Sequence, residues 1–183
     1  LGEKGVHGAN HIMRESSGAG GIATPLCRAG CGTIGDVADP LVDMMNAGMA
    51  STIPTAHQMG VQVLEARRGF AAASVPVEGN GNHFGVIYAG VQFTVAEILG
   101  GIIALSTFDA GKYFPLVKNV DIKFVGMATS ALRAEASMDD ETIARVESEA
   151  AAQGKSDYTL DAVVTDAAGA VVATTHGLYQ LRA

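Results

Sequence analysis

The sequence predicts an α+β fold in which one antiparallel sheet wraps around a single long central helix. Three observations lead there. Residues 88–105 are apolar nearly all round, which marks a helix buried by its surroundings rather than one lying on a surface. Runs with the apolar alternation of strands stand on both sides of it. The order is helix, two strands, long helix, then three or four strands with one further short helix. That order suits a sheet packed on one helix layer, not alternating parallel units.

Each element has its own signal. Asp39 followed by Pro40 is an N-cap with proline at the first helical position, opening a helix through Leu41, Met44 and Met45 that Gly48 is expected to stop. Residues 60–67 and 70–77 read as strands joined by an Arg68-Gly69 turn. Gly79, Asn80, Gly81 and Asn82 then break the pattern before the long helix begins near Tyr88. Extended runs are expected over 119–125 and 130–138, and a helix over 140–153 closed by Gly154. Two last strands, 157–165 and 170–181, flank a tight turn from Asp166 to Gly169.

A length of 183 residues suits one domain with a sizeable core. Residues 1–35 are Gly-rich without a hydrophobic period and read as a poorly ordered tail, leaving 36–183 as the domain. Twelve Lys and Arg against 19 Asp and Glu give a net charge of -7, which argues against nucleic-acid binding because phosphates need a basic surface. Cys27 and Cys31 are the only cysteines, so no disulfide framework exists, and they read as ordinary thiols with no metal expected.

No N-terminal stretch joins basic residues to an apolar core of ~7–15 residues, so a cytoplasmic location is expected. The run 86–105 is long enough to cross a bilayer but carries Glu97 near its centre, and inserting such an acid costs roughly 2.5–3.5 kcal/mol. It reads instead as a core helix, with no membrane partner.

The segment from Asn82 to Glu97 carries the chemistry. A Gly- and Asn-rich loop delivers the chain into the N-terminus of a buried helix, whose unpaired backbone N–H groups form an oxyanion site. Glu97 lies two turns further in, where apolar surroundings push a carboxylate pKa upward and suit it to general-base work. Gly90, Glu97, Gly100 and Gly101 are expected on one side of the helix, offering close approach beside the acid. His57 and His176 read as structural or surface residues, as do His7 and His11 in the tail.

The pattern N-x2-G-x2-Y-A-G-x6-E resembles the hotdog-fold acyl-CoA thioesterases of the phenylacetate-pathway kind, over residues 54–182. That family carries Asn, two residues, Gly, two residues, His-Gly-Gly, and an Asp or Glu seven positions after the last Gly. Asn82, Gly85, Gly90 and Glu97 fall on those positions. Tyr88 stands where the family has His, Ala89 where it has Gly, and Gly101 where some relatives have Thr. The resemblance implies the hotdog fold, a homodimer or homotetramer with sites between subunits, and hydrolysis of an acyl-CoA thioester. CoA enters only as part of the substrate, with no other cofactor.

In that reading the N–H groups of Ala89 and Gly90 polarise the thioester carbonyl, Asn82 orients water or substrate, and Glu97 of the facing subunit acts as base or nucleophile. Gly85, Tyr88 and His83 line the substrate. Arg67, Arg68, Lys118 and Lys123 are candidates for the CoA phosphates, with Arg67 and Lys123 placed first. Two alternatives remain. A hotdog hydroxyacyl-thioester dehydratase would pair His83 with Glu97, since Phe84 follows the histidine as it does there. A non-catalytic acyl-thioester-binding module would use the same pocket without a base.

Overall fold

The computed structural model describes residues 39–183. The expected tail, with His7, His11, Cys27 and Cys31, lies outside the described residues. Helix α1 (Pro40–Thr52) opens as the sequence requires, the Asp39 carboxylate accepting the Leu41 N–H at 2.9 Å. It does not stop at Gly48. A helical glycine costs only about 1 kcal/mol, and the true terminator is Pro54, which pushes Ile53 out of the helical region. Pro54 then begins a short helix that the sequence reading lacked, α2 (Pro54–Gln58).

Strands β1 (Gln62–Arg67) and β2 (Phe70–Val75) pair antiparallel, with Arg67 opposite Phe70 across the two-residue turn. Gly69 takes a φ of 71° there, and a Cβ would stand 2.6 Å from the Met138 carbonyl, so both conformation and space demand glycine. β2 ends before Pro76 because proline has no N–H for the ladder.

The long helix is two consecutive segments, α3 (Ala89–Glu97) and α4 (Leu99–Thr107). At the junction the Gly101 N–H bonds to Ile98, three residues back, at 3.1 Å. The Glu97 carbonyl instead accepts the Tyr179 hydroxyl at 3.3 Å. A side chain inserted into the ladder thus marks the step between segments.

Strands β3 (Phe114–Phe124), β4 (Leu132–Ser137), β5 (Lys155–Thr165) and β6 (Val171–Arg182) complete one curled antiparallel sheet of order β1-β2-β4-β5-β6-β3. β3 begins five residues before its expected start. Its first residues, exposed from Leu116 to Asn119, lack the alternation that would have revealed them. Helix α5 (Asp140–Gln153) matches its expected bounds, capped by Asp139 and closed by Gly154, with Ile143, Val146 and Ala150 buried.

The central helix lies on the sheet, burying Val95, Leu99, Ile102 and Ile103, each worth roughly 1.5–3 kcal/mol when fully buried. Small residues beneath it, Ala71, Ala73, Ala134 and Ala136, belong to the same core and let the helix approach closely. Ala89–Thr107 is long and apolar enough to cross a membrane by length and composition, but its apolar surface packs against the sheet, with 56% of the window buried.

Candidate functional site

The loop from β2 to α3 is built from polar residues serving backbone groups. The buried Asn80 amide donates to the carbonyls of Met59 at 2.7 Å and Pro76 at 2.9 Å, tying α2 to the end of β2. Its own carbonyl receives the Tyr88 N–H at 2.9 Å. The Asn82 side-chain oxygen accepts the N–H of Phe84 at 2.9 Å and of Val86 at 3.4 Å. Gly85 supplies the left-handed turn, with a φ of 76°. Gln92 reaches back from the helix and donates to the Ile87 carbonyl at 3.0 Å.

The loop ends at a helix N-terminus with no side-chain cap. Tyr88 occupies the cap position, and its carbonyl receives the N–H groups of both Val91 and Gln92. The N–H groups of Ala89 and Gly90 find no acceptor among the described residues. The Tyr88 ring lies over Gly90, leaving no room there for a Cβ. Beside this terminus is a cleft of about 320 Å³ lined by Thr55, Gln58, Asn80, Tyr88 and Val91 among others. An uncapped N-terminus facing a cleft can receive a carbonyl oxygen or an anion.

Glu97 is half-buried and makes no hydrogen bond or ion pair through its carboxylate among the described residues. Burial raises its pKa from the ordinary value of 4.5, as the sequence reading requires of a base. Gly90, Thr94, Glu97 and Gly101 recur at three- and four-residue spacing along one half-buried face of the helix. Gly100 departs from the expectation. It turns to the sheet, where the Tyr179 ring fills the place of its missing side chain.

The structure does not bring all predicted site residues together. Asn82, His83, Gly85, Tyr88, Ala89 and Gly90 cluster at one end of the central helix. Glu97 stands eight residues along it, an axial rise of about 12 Å from Ala89. His83 sits at the exposed loop tip, its ring 3.9 Å from that of Phe84. Arg67 lies near the other end of the helix, where Ser106 donates to its carbonyl at 3.1 Å and its guanidinium packs on Phe70 at 4.2 Å. Arg68 pairs with Asp140, and Lys118 with Asp157 at 2.6 Å. Lys123 lines a surface hollow with Asp121, Asp161 and His176, away from the helix terminus. No cluster that could hold a metal ion occurs among the described residues.

Sequence reasoning missed three contributors. Asn80 and Gln92 hold the loop, and Tyr179 holds the helix at Glu97. A lone glutamine in an otherwise apolar helix was the available signal for Gln92. Nothing local marks Tyr179, because its partner lies 82 residues away in the chain.

A family model described as a domain of unknown function, DUF4442, matches residues 43–179. No curated protein matches the chain. Among solved structures, the chain is similar to a protein of unknown function from Pseudomonas aeruginosa, described as a probable thioesterase. The TM-score is 0.72 and the identity 36%, covering 76% of this chain and 94% of that one. A second Pseudomonas aeruginosa structure, a thioesterase variant, has a TM-score of 0.63 at 16% identity, covering 80% and 95%. A thioesterase from Staphylococcus aureus, solved with a glutamine replaced by alanine, has a TM-score of 0.58 at 16% identity, covering 69% and 97%. The curled sheet around its central helix is the hotdog fold that these proteins share with the chain.

Proposed function

The chain belongs to the DUF4442 family, and from the geometry of its central helix we propose that it hydrolyses an acyl-CoA thioester to the free acid and CoA. The observation that carries the reading is Glu97, a half-buried carboxylate without a partner among the described residues, on the open face of a helix whose N-terminal N–H groups also find no acceptor among them. Proteins of the same fold that are described as thioesterases support the reaction class. Within that class, the resemblance to phenylacetate-pathway enzymes places phenylacetyl-CoA among the substrates to assay.

In this reading two copies build each site. A rise of about 12 Å separates Ala89 from Glu97, so one carbonyl does not reach both in one protomer. β3 supplies the means of association. It is an edge strand of 11 residues with Phe114, Leu116, Val117 and Phe124 exposed, and such an edge pairs readily with a second copy of itself.

In the proposed reaction the N–H groups of Ala89 and Gly90 receive the thioester oxygen. Glu97 of the second copy takes a proton from water as its oxygen attacks the carbonyl carbon. The tetrahedral oxyanion collapses, the C–S bond breaks, and the proton passes from Glu97 to the CoA sulfur. Stabilising the oxyanion in a dry site contributes about 2.7–4 kcal/mol per donor. The reaction as written uses no metal and no cofactor beyond the CoA of the substrate. Glu97 acting as nucleophile, through an anhydride that water then opens, gives the same products.

The test is thiol release from a panel of acyl-CoAs beside a crotonyl-CoA hydration assay. Free CoA without hydration supports hydrolysis. Hydration that is lost in His83→Ala would instead support the dehydratase reading.

A further inference from the structure

Between α1 and α4 runs a groove of about 350 Å³ floored by Val63 of β1. Met45, Gly48 and Met49 line one wall, and Gly101, Ile102 and Leu105 the other. Thr52 is the single polar residue of the lining among the described residues, and its hydroxyl already donates to the Gly48 carbonyl at 3.0 Å. The groove therefore presents no free side-chain donor and no charge to an occupant.

Its two glycines are not required by packing. A Cβ at Gly48 or at Gly101 would meet no atom within 4 Å, whereas one at the neighbouring Gly100 would collide with Tyr179. Both sit inside helices, where glycine is the least favoured residue after proline. What the missing side chains provide on both walls is width. Methionines on the α1 wall are unbranched and adapt to a flexible occupant.

The groove begins next to Glu97 along the helix. Ile98 follows Glu97 directly, and Gly101 lies one turn beyond it on the same face. From Glu97 to Leu105 the helix rises about 12 Å. Extended carbon chains, with bonds near 1.5 Å, advance roughly 1.25 Å per carbon, so that length holds at most about ten carbons.

Resting on the thioesterase reading, we infer that this groove is the acyl site and that the substrate class is an unbranched aliphatic acyl-CoA of about eight to ten carbons. An aromatic or hydroxylated acyl group would meet no aromatic or free polar partner along it.

The experiment measures kcat/KM for acetyl-, butanoyl-, hexanoyl-, octanoyl-, decanoyl-, palmitoyl- and phenylacetyl-CoA. Each buried methylene is expected to raise kcat/KM about two- to fourfold up to a maximum at octanoyl or decanoyl. Gly48→Leu and Gly101→Leu, which place a good helix former in open space, should lower the decanoyl-to-butanoyl ratio at least about tenfold. A flat profile, a phenylacetyl maximum, or an unchanged ratio in both variants overturns the assignment and leaves hydrolysis standing. Absence of CoA release from every substrate overturns the thioesterase reading instead. The groove is then judged by thermal unfolding with decanoic acid, which should stabilise the wild-type protein and not Gly48→Leu. Failure to stabilise the wild type, as when a second copy fills the groove, overturns the acyl-site assignment as well.

Discussion

The hydroxyl of Tyr179, on β6, donates to the backbone carbonyl of Glu97 at 3.3 Å, while the same ring fills the space beside Gly100. The residue that carries the proposed chemistry is thus held through its main chain, and its carboxylate has no partner among the described residues. Tyr158 stacks on the other side of the clamp, its ring centroid 5.7 Å from that of Tyr179. Burial raises the pKa of both phenols well above the usual tyrosine value, so neither loses its proton in the physiological range.

Tyr179→Phe keeps the ring and removes the hydroxyl. It should lower stability by about 0.5–1.5 kcal/mol in thermal or urea unfolding, the usual net value of one hydrogen bond. Because Glu97 is then less firmly placed, kcat should fall by up to about tenfold with KM little changed. An effect on KM alone would show that the clamp does not position the acid.

Two adjacent glycines should respond with opposite signs. Gly100→Ala forces a methyl group into the Tyr179 ring and should cost about 1–3 kcal/mol despite the gain in helix propensity. Gly101→Ala enters open space and should stabilise by about 0.5–1 kcal/mol. Equal effects in denaturant titrations would contradict the packing described for this turn.

Glu97→Gln should reduce hydrolysis about 10²–10⁴-fold, the range for loss of a general base. The same change should raise the melting temperature near neutral pH. A carboxyl whose folded pKa is raised binds its proton more tightly in the folded state, so charging it as pH rises through that window destabilises the fold. The difference should vanish below pH 4.5, where the wild-type side chain is neutral in both states. Hydrolysis by the wild type should likewise rise with pH through a limb above the ordinary glutamate value. A variant less stable than wild type at pH 7 would mean that Glu97 has a cationic partner.

Asn82 has two candidate roles that one pair of variants separates. Its side-chain oxygen holds the loop, so Asn82→Ala should lower the melting temperature, while Asn82→Asp keeps that acceptor and should leave it nearly unchanged. If the amide N–H₂ contacts water or substrate, both variants should lose hydrolysis about 10²-fold or more. Full activity in Asn82→Asp would restrict the residue to loop support.

The edge of β3 is tested by Leu116→Lys combined with Phe124→Lys, which puts charge on an exposed apolar strand. Light scattering should report a dimer or larger assembly for the wild type and a monomer for the double variant. Hydrolysis should be lost together with association, because Ala89 and Glu97 then have no opposite copy. A fully active monomer would refute the two-copy arrangement.

Much of this architecture is legible in local sequence. Asp39-Pro40, Asp139 and Gly154 mark helix ends because capping is a short-range interaction, and Arg68-Gly69 marks the hairpin for the same reason. The loop and its uncapped helix end follow from Asn82, Gly85 and the apolar run behind them. What escaped depends on distant partners. Gly48 fails to end α1 because Pro54 governs that end, and β3 hides its first residues because those from Leu116 to Asn119 show no alternation. Arg67 and Lys123 are alike in sequence as basic residues near strand ends, and only the fold sets Arg67 on the Phe70 ring and Lys123 beside Asp161. Gly100 and Gly101 are indistinguishable in sequence and differ only in whether a tyrosine from β6 reaches them.

The bare N-terminus of α3 also ties occupancy to stability. Helices normally gain about 1 kcal/mol from an N-cap side chain, and here Tyr88 supplies none. Whatever ligand oxygen settles on the N–H groups of Ala89 and Gly90 completes the helix from outside the chain. By mass action such a ligand adds about 2.7 kcal/mol to the folding free energy at a hundred times its Kd, so the melting curve itself becomes a gauge of what the protein binds.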